Sequence, residues 1–272
     1  MTTDIYLRNR DLDVAQDRQV IVTEGMTVYD STEYIPSGET TRKCSISNSN
    51  KELLRSTFVE FLGTLFYVFV ATNQGYAMAQ GFVLTSLMIA FGKISEGHFN
   101  PAVTLAVSIS RGFSRTTVLY PIAQLIGGIA GAALTKAVQD VNFGHFESYR
   151  TVLGKFVEPE YGILCEGLIT FILVITYLMC IIDKRNKDSI LSPIAIGFVV
   201  TANILATYRM TGGSMNPARS FGPVVCMSKP QINDIVWKHH YVYWVGPTAG
   251  SIVAAVIYRF ILSTEPCCCR TR

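Results

Sequence analysis

Two short stretches of the sequence contain the same triplet, Asn-Pro-Ala, among apolar residues. GHFNPAVTLA begins at Gly97, and GSMNPARSFG begins at Gly213. Asparagine is a preferred helix N-cap and proline suits the first helical turn, so each triplet predicts the start of a helix. Each apolar piece has only about ten residues, whereas a membrane-spanning helix needs about 20. We therefore expect two half-membrane helices, which begin at Asn100, Pro101, Ala102 and at Asn216, Pro217, Ala218.

The rest of the chain has the composition of a membrane protein. Its 272 residues are 49% hydrophobic and only 16% charged, whereas soluble domains carry about 25% charged residues. Six apolar segments are long enough to span a bilayer. They are Ser56–Thr72, Ala77–Ile94, Thr116–Val138, Tyr161–Ile182, Ile190–Tyr208 and Tyr241–Ile261. The sequence thus predicts an all-α membrane protein with six transmembrane helices and two re-entrant half-helices.

Composition also argues against several classes of partner. The net charge of +3 and the lack of a basic stripe disfavour nucleic acid. The seven cysteines have neither zinc-site spacing nor the pattern of a secreted disulfide framework, so no metal or cofactor is expected. The spans contain no nucleophile–base set, so we do not expect an enzyme.

Positive charges concentrate in alternate loops, which predicts the orientation of the chain. They are Lys51 and Arg55, Arg111 and Arg115, Lys184, Arg185 and Lys187, and Arg270 and Arg272. Cytoplasmic loops are enriched in lysine and arginine, so both termini are predicted to be cytoplasmic. The plasma membrane is the expected location, with an intracellular membrane as the alternative.

The second half of the chain repeats the first. EFLGTLF at Glu60 matches EGLITFI at Glu166, and the two Asn-Pro-Ala triplets match in the same order. We place the repeats at about residues 52–140 and 158–263. Each half has three spans, so the second half must enter the membrane inverted, an arrangement that transport proteins use to build a site at the midplane.

The inverted repeat predicts what the two triplets do together. Their helix starts would meet at mid-bilayer, and the facing positive dipole ends would repel a cation. Irregular backbone at that depth survives only when it is buried in protein or lines a water-filled cavity. The Asn100 and Asn216 amides would then donate hydrogen bonds to a passing neutral molecule. These features favour a passive pore that excludes protons and ions.

Over about residues 52–263 the sequence resembles the aquaporin (major intrinsic protein) family, and both Asn-Pro-Ala boxes are intact. The resemblance implies a right-handed bundle of six helices plus two half-helices, assembled as a homotetramer with one pore per subunit. GHFNPAV, QLIGGIAGAALTKAV and YWVGP are most similar to the aquaporin-8-like branch. That branch implies passage of water, hydrogen peroxide and ammonia.

The resemblance also assigns a selectivity filter to Gln80, Ile204, Gly213 and Arg219. A strict water channel usually has Phe, His, Cys and Arg there, so the ring in this chain is expected to be wider. Gln80 stands where the aquaporin-8-like branch has His. Because Gln cannot take up a proton as His can, the filter of this chain differs from that branch in the group that would handle ammonia. Ser220 stands where glycerol-conducting members have Asp, so this chain resembles them less.

Three further polar residues lie close to the predicted pore. Glu60 and Glu166 sit within apolar spans, where lone acids are costly. One such acid occurs in each repeat, and we interpret both as acceptors for backbone N–H groups of the re-entrant loops, with a direct functional role as the alternative. His98 is interpreted as a hydrogen-bonding residue of the first loop. A buried Arg219 would need acceptors or would face the pore as a barrier to cations.

The two ends of the chain are predicted to be tails around a channel domain at 51–264. Residues 1–50 are polar and rich in Ser and Thr, which predicts a disordered cytoplasmic tail. Residues 265–272 form a short C-terminal tail. It contains Cys267, Cys268 and Cys269, which are candidates for lipidation because they lie beside a membrane span.

Other functions are compatible with parts of this pattern. A strict water channel, a glycerol or urea facilitator and a scaffold with little flux share the same fold. An alternating-access transporter also uses inverted repeats and broken helices. It would need an ion-coupling group at the midplane, and only Glu60 and Glu166 offer one there.

Overall fold

Eight helices build the computed structural model, which describes residues 40–73, 76–139, 151–186, 189–227 and 237–264. The helices are α1 Thr40–Thr72, α2 Ala77–Ser95, α3 Pro101–Arg111, α4 Thr116–Gln139, α5 Pro159–Tyr177, α6 Leu191–Thr211, α7 Pro217–Met227 and α8 Val242–Ile257. Two of them continue into single π turns: α5 into Leu178–Ile182 and α8 into Tyr258–Leu262. By its contacts the chain divides into Met1–Ser47 and Asn48–Arg272, and the site described below lies in the second unit.

Six of the helices are long and apolar enough to cross a membrane. These segments are Ser49–Thr72, Ala77–Ser95, Thr116–Val138, Pro159–Ile182, Leu191–Thr211 and Val242–Leu262. Each agrees with a predicted span to within a few residues, except that the first begins earlier. Large apolar side chains such as Phe82, Leu164 and Phe198 are exposed on them, as a lipid-facing surface requires.

The remaining helices, α3 and α7, are half-helices of 11 residues each. At 1.5 Å per residue each is about 16 Å long, about half of the hydrocarbon core of a bilayer. Each begins with proline directly after an asparagine cap. Asn100 Oδ1 accepts the Ala102 N–H at 2.9 Å, and Asn216 Oδ1 accepts the Ala218 N–H at 3.0 Å.

Helices pack on one another through small residues, at equivalent places within the two repeats and also between them. Gly127 and Gly131 of α4 lie against the α1 backbone at Phe61 and Leu65, while Gly250 of α8 lies against the α5 backbone. Helices α2 and α6 pack on one another at Gly81 and Gly197. Close backbone contact through small residues is how helices associate in membranes, where lipid competes equally for larger apolar side chains.

The structure differs from the sequence-based prediction at the beginning of α1. The helix begins at Thr40, within the stretch that the sequence assigns to the tail. Residues 40–50 contain neither proline nor glycine, the residues that most strongly interrupt a helix, so this stretch can continue the helix that follows it. The rest of the predicted N-terminal tail and the Cys267–Cys269 cluster lie outside the described residues, and lipidation stays a prediction.

Candidate pore

The starts of the two half-helices meet and are linked by a reciprocal pair of hydrogen bonds. Asn100 Nδ2 donates to the Met215 carbonyl at 2.8 Å, and Asn216 Nδ2 donates to the Phe99 carbonyl at 2.9 Å. Both asparagines are almost completely buried. Each asparagine therefore caps its own half-helix through Oδ1 and holds the opposite loop through Nδ2.

The two buried acids anchor the loops that lead into the half-helices. Glu60 accepts the backbone N–H groups of His98 at 3.0 Å and Phe99 at 2.7 Å. Glu166 accepts those of Ser214 at 2.9 Å and Met215 at 2.8 Å. The two contacts occupy equivalent places in the two repeats, and both carboxylates are fully buried.

Two side chains also donate hydrogen bonds to the Glu60 carboxylate, in addition to the two backbone N–H groups. Gln124 Nε2 donates to its Oε2 at 2.7 Å, and Ser95 Oγ donates to its Oε1 at 2.6 Å. Gln124 also contacts Thr104 of α3. Gln124 was not singled out from the sequence, although a lone amide within an apolar span is a signal for such a role.

A narrow cavity runs from the two asparagines towards His98. The cavity has a volume of about 20 Å³ that a water molecule can occupy. One water needs about 10–15 Å³, so the cavity is only about as wide as a single water molecule. Apolar side chains form much of its wall: Leu84, Val103, Leu173, Ile196 and Val200. Two tyrosines, Tyr67 and Tyr177, also line it. Neither was predicted, because an aromatic residue in an apolar span gives no signal of its own.

The four predicted filter residues are all buried. Ile204 and Gly213 are in direct contact, since a side chain at Gly213 would come within 2.9 Å of the Ile204 Cα. Gln80 is fully buried on α2, the helix that packs against α6, where Ile204 lies. Arg219 lies in the first turn of α7, and its backbone N–H contacts Asn216 Oδ1 at 3.3 Å. Among the described residues its Nε and Nη1 have no hydrogen-bond partner.

Glu96 and Arg111 form an ion pair at one end of the bundle, which we call the Glu96 end. Arg111 Nη1 donates to Glu96 Oε1, and His98 Nε2 lies 3.6 Å from Glu96 Oε2. Burial alone would raise the pKa of Glu96, but the hydrogen bonds and charges of His98 and Arg111 lower it from 4.5 to about 2. Glu96 therefore stays ionised at physiological pH.

His240 lies at the opposite end, in a cage of aromatic rings. The Trp237 ring centroid is 5.2 Å from the His240 ring, and Phe221 and Trp244 lie at 6.2 and 6.4 Å. Among the described residues neither of its ring nitrogens has a hydrogen-bond partner. Burial lowers the pKa of His240 from 6.5 to about 4, so the imidazole is neutral at pH 7.

This pKa shift predicts a loss of stability in mild acid. The unfolded chain binds a proton at His240 below pH 6.5, whereas the folded protein does so only near pH 4. The contribution of His240 to stability is thus fully present above pH 6.5 and falls as the pH drops towards 4, by at most about 3 kcal/mol because part of the ring remains exposed to solvent. Thermal unfolding of the detergent-solubilised protein between pH 7 and 4 measures it. His240→Phe should flatten this profile; a profile as steep in that variant as in the wild type would contradict the assignment.

Six spanning helices and two half-helices that meet end to end at a buried cavity define a polytopic membrane protein of the channel type. A model of the major intrinsic protein family matches residues 47–258. Aquaporin TIP1-2 of Musa acuminata is 35% identical over 231 residues, which cover 77% of this chain and 87% of that protein. Aquaporin-5 of Sus scrofa is 35% identical over 226 residues, which cover 77% and 81%.

The chain belongs to the major intrinsic protein family, the aquaporins. Membership implies a passive channel for water or small solutes in a membrane. The X-ray structure of the aquaglyceroporin from Plasmodium falciparum aligns with a TM-score of 0.67 at 20% identity, over 77% of this chain and 96% of that one. This likeness confirms the predicted fold. The resemblance to the aquaporin-8-like branch stays a prediction.

Proposed function

We propose that this protein is a passive channel for water and small neutral solutes, including hydrogen peroxide and ammonia, and that it excludes protons and ions. The observation that carries the proposal is the meeting of Asn100 and Asn216 at the narrow cavity. Each amide nitrogen has two N–H bonds. One is used in the reciprocal contact with the opposite loop, and the other is free to donate to a molecule in the cavity that both residues line.

This arrangement acts against proton transfer. Each Oδ1 already accepts a backbone N–H, so the two amides present donors alone to the cavity. A water that accepts from both turns its own hydrogens away along the pore, which interrupts a proton relay. The N-termini of α3 and α7 add positive dipole ends at the same point and repel cations.

The filter assignment supports a solute range wider than water. Gln80 and Ile204 replace the Phe and His of a strict water channel, and Gly213 has no side chain to narrow the ring. Arg219 supplies a buried positive charge next to the second triplet. This charge would repel cations that enter the filter. A strict water channel is the alternative that this ring disfavours.

Charges at the Glu96 end support an orientation with both termini in the cytoplasm. Arg115 contacts Asn50 at the start of the first spanning segment, Arg259 contacts the Ile109 carbonyl, and Arg185 contacts the Leu262 carbonyl. These arginines therefore gather at one end of the molecule with Arg111, which fits the enrichment of positive charge on the cytoplasmic side. We propose the plasma membrane as its location and a homotetramer as its assembly.

The test is stopped-flow permeability of the purified protein in liposomes for water, hydrogen peroxide and ammonia side by side. We expect flux of all three, and we expect Gln80→Phe to reduce peroxide and ammonia flux by about tenfold while water flux changes little. Arg219→Val should admit protons or cations, measured with a pH-sensitive dye. Flux of water alone, unaffected by Gln80→Phe, would show that the filter is assigned wrongly.

A further inference from the structure

Tyr67 brings a hydroxyl group to the narrow cavity. It follows Glu60 by seven residues, almost two helical turns, so the two side chains lie on the same face of α1. Glu60 holds the loop before α3, and Tyr67 lines the cavity together with Asn100 and Asn216. Tyr67 is only 3% exposed, so it faces the interior of the bundle and not lipid.

No hydrogen bond joins the Tyr67 hydroxyl to another residue in the described part of the chain. The two other hydroxyl side chains of the cavity wall are already paired: Tyr177 Oη donates to the Glu96 carbonyl at 2.7 Å, and Ser214 Oγ donates to the Asn216 carbonyl at 3.0 Å. Buried hydroxyls normally have a partner, because leaving one unpaired costs free energy. A molecule in the cavity is the partner that remains for Tyr67.

The neighbours of this hydroxyl are groups that can only donate hydrogen bonds. Among the ionisable groups that interact electrostatically with the buried Arg219 guanidinium, Tyr67 interacts most strongly, ahead of Glu166. A guanidinium has donors and no acceptor, and the Asn100 and Asn216 amides also present donors to the cavity. A tyrosine hydroxyl, in contrast, both donates and accepts. Tyr67 therefore adds to this wall a group that can pair with either end of an O–H bond.

Hydrogen peroxide needs more hydrogen-bond partners from such a wall than water does. The cavity is about as wide as one water, so molecules pass it in single file and bond to the neighbours ahead and behind. The wall must replace the partners that are lost at the sides. Both molecules have two O–H bonds, but peroxide has two oxygens and thus twice as many lone pairs. An additional wall group therefore stabilises peroxide in the pore more than it stabilises water.

We propose that the Tyr67 hydroxyl is a hydrogen-bonding site for hydrogen peroxide in the pore and that it raises the permeability of the channel to peroxide relative to water. The inference rests on the proposed channel function. One peroxide oxygen accepts from the asparagine amides, and the other pairs with Tyr67 Oη. Phenylalanine at this position keeps the aromatic ring and removes only the hydroxyl, so Tyr67→Phe isolates the contribution of that one group.

The test measures water and hydrogen peroxide permeability of the wild type, Tyr67→Phe and Tyr161→Phe in liposomes. Tyr161 is 65% exposed, so Tyr161→Phe is a matched control that removes a hydroxyl away from the cavity. We expect Tyr67→Phe to lower the peroxide-to-water permeability ratio by about two- to tenfold, the factor that one hydrogen bond contributes. Its unfolding temperature should not change, because the hydroxyl has no protein partner to lose. A wider pore would raise both fluxes, so a lower ratio does not come from pore width.

The outcomes separate this inference from the channel function. If the wild type conducts both solutes and Tyr67→Phe leaves the ratio unchanged or raises it, the inference fails while the channel function stands. An equal fall of the ratio in Tyr161→Phe overturns it as well, because the effect is then not specific to the cavity. A wild type that conducts water without peroxide also overturns it. If the wild type does not exceed empty liposomes for either solute, the channel function itself fails, and this inference fails with it.

Discussion

Glu60→Leu is expected to prevent the protein from folding. The substitution leaves four donors without their acceptor: the N–H groups of His98 and Phe99, the Ser95 hydroxyl and the Gln124 amide. Each buried donor without a partner costs about 1–3 kcal/mol, and the sum is comparable with the whole stability of about 5–15 kcal/mol. Size-exclusion chromatography and thermal unfolding in detergent will measure the loss.

Matched variants separate this effect from a general loss of charge. Glu52 lies on the same helix at an exposed position. Glu52→Leu should therefore change the free energy of unfolding by less than about 0.5 kcal/mol. Glu166→Leu should be severe but milder than Glu60→Leu, because fewer donors reach that carboxylate. An unchanged unfolding temperature for Glu60→Leu would mean that the re-entrant loop holds its shape without the acid.

Gly222→Ala is expected to displace α7 and to reduce flux. A Cβ at Gly222 would lie 2.2 Å from the Gly128 carbonyl oxygen of α4, and backbone there cannot move aside as a side chain can. Overpacking of this kind costs about 1–3 kcal/mol or more. Because α7 carries Arg219 and begins directly after its cap Asn216, its displacement changes the pore, and water permeability in liposomes should fall together with the unfolding temperature.

Gly92→Ala is the control for this prediction. No atom lies within 4 Å of a Cβ at Gly92, so the substitution should be neutral or should stabilise α2 by up to about 1 kcal/mol. Equal behaviour of the two variants would contradict a close α4–α7 contact.

Much of the architecture could be predicted from the sequence, for local physical reasons. A run of about 20 apolar residues has few stable states other than a spanning helix. An asparagine followed by proline favours a helix start for local reasons. The asparagine side chain accepts a backbone N–H of the first turn, and the proline ring already has the helical φ angle. The six spans, the half-helices and the repeat follow from these short-range rules, and the family relationship agrees with them.

Long-range contacts escaped prediction where the residue types themselves give no signal. Tyr177 is one of several tyrosines in apolar helices, and nothing in the sequence distinguishes it. Only the fold brings its hydroxyl within hydrogen-bond distance of the Glu96 carbonyl, 81 residues away. Glu96 follows α2 as an ordinary polar residue in the sequence. Its left-handed backbone and its pairing with Arg111 depend on the arrangement of α2 and α3.

The sequence by itself determined that this chain crosses a membrane six times and begins two half-helices at Asn100 and Asn216. Those properties depend on hydrophobicity and capping, which act within a few residues. The tertiary structure alone decided that each asparagine holds the opposite loop, 115 and 117 residues away, and that both asparagines line one narrow cavity together with His98. Such contacts exist only when the two repeats pack together, because the bonding partners come from opposite halves of the chain.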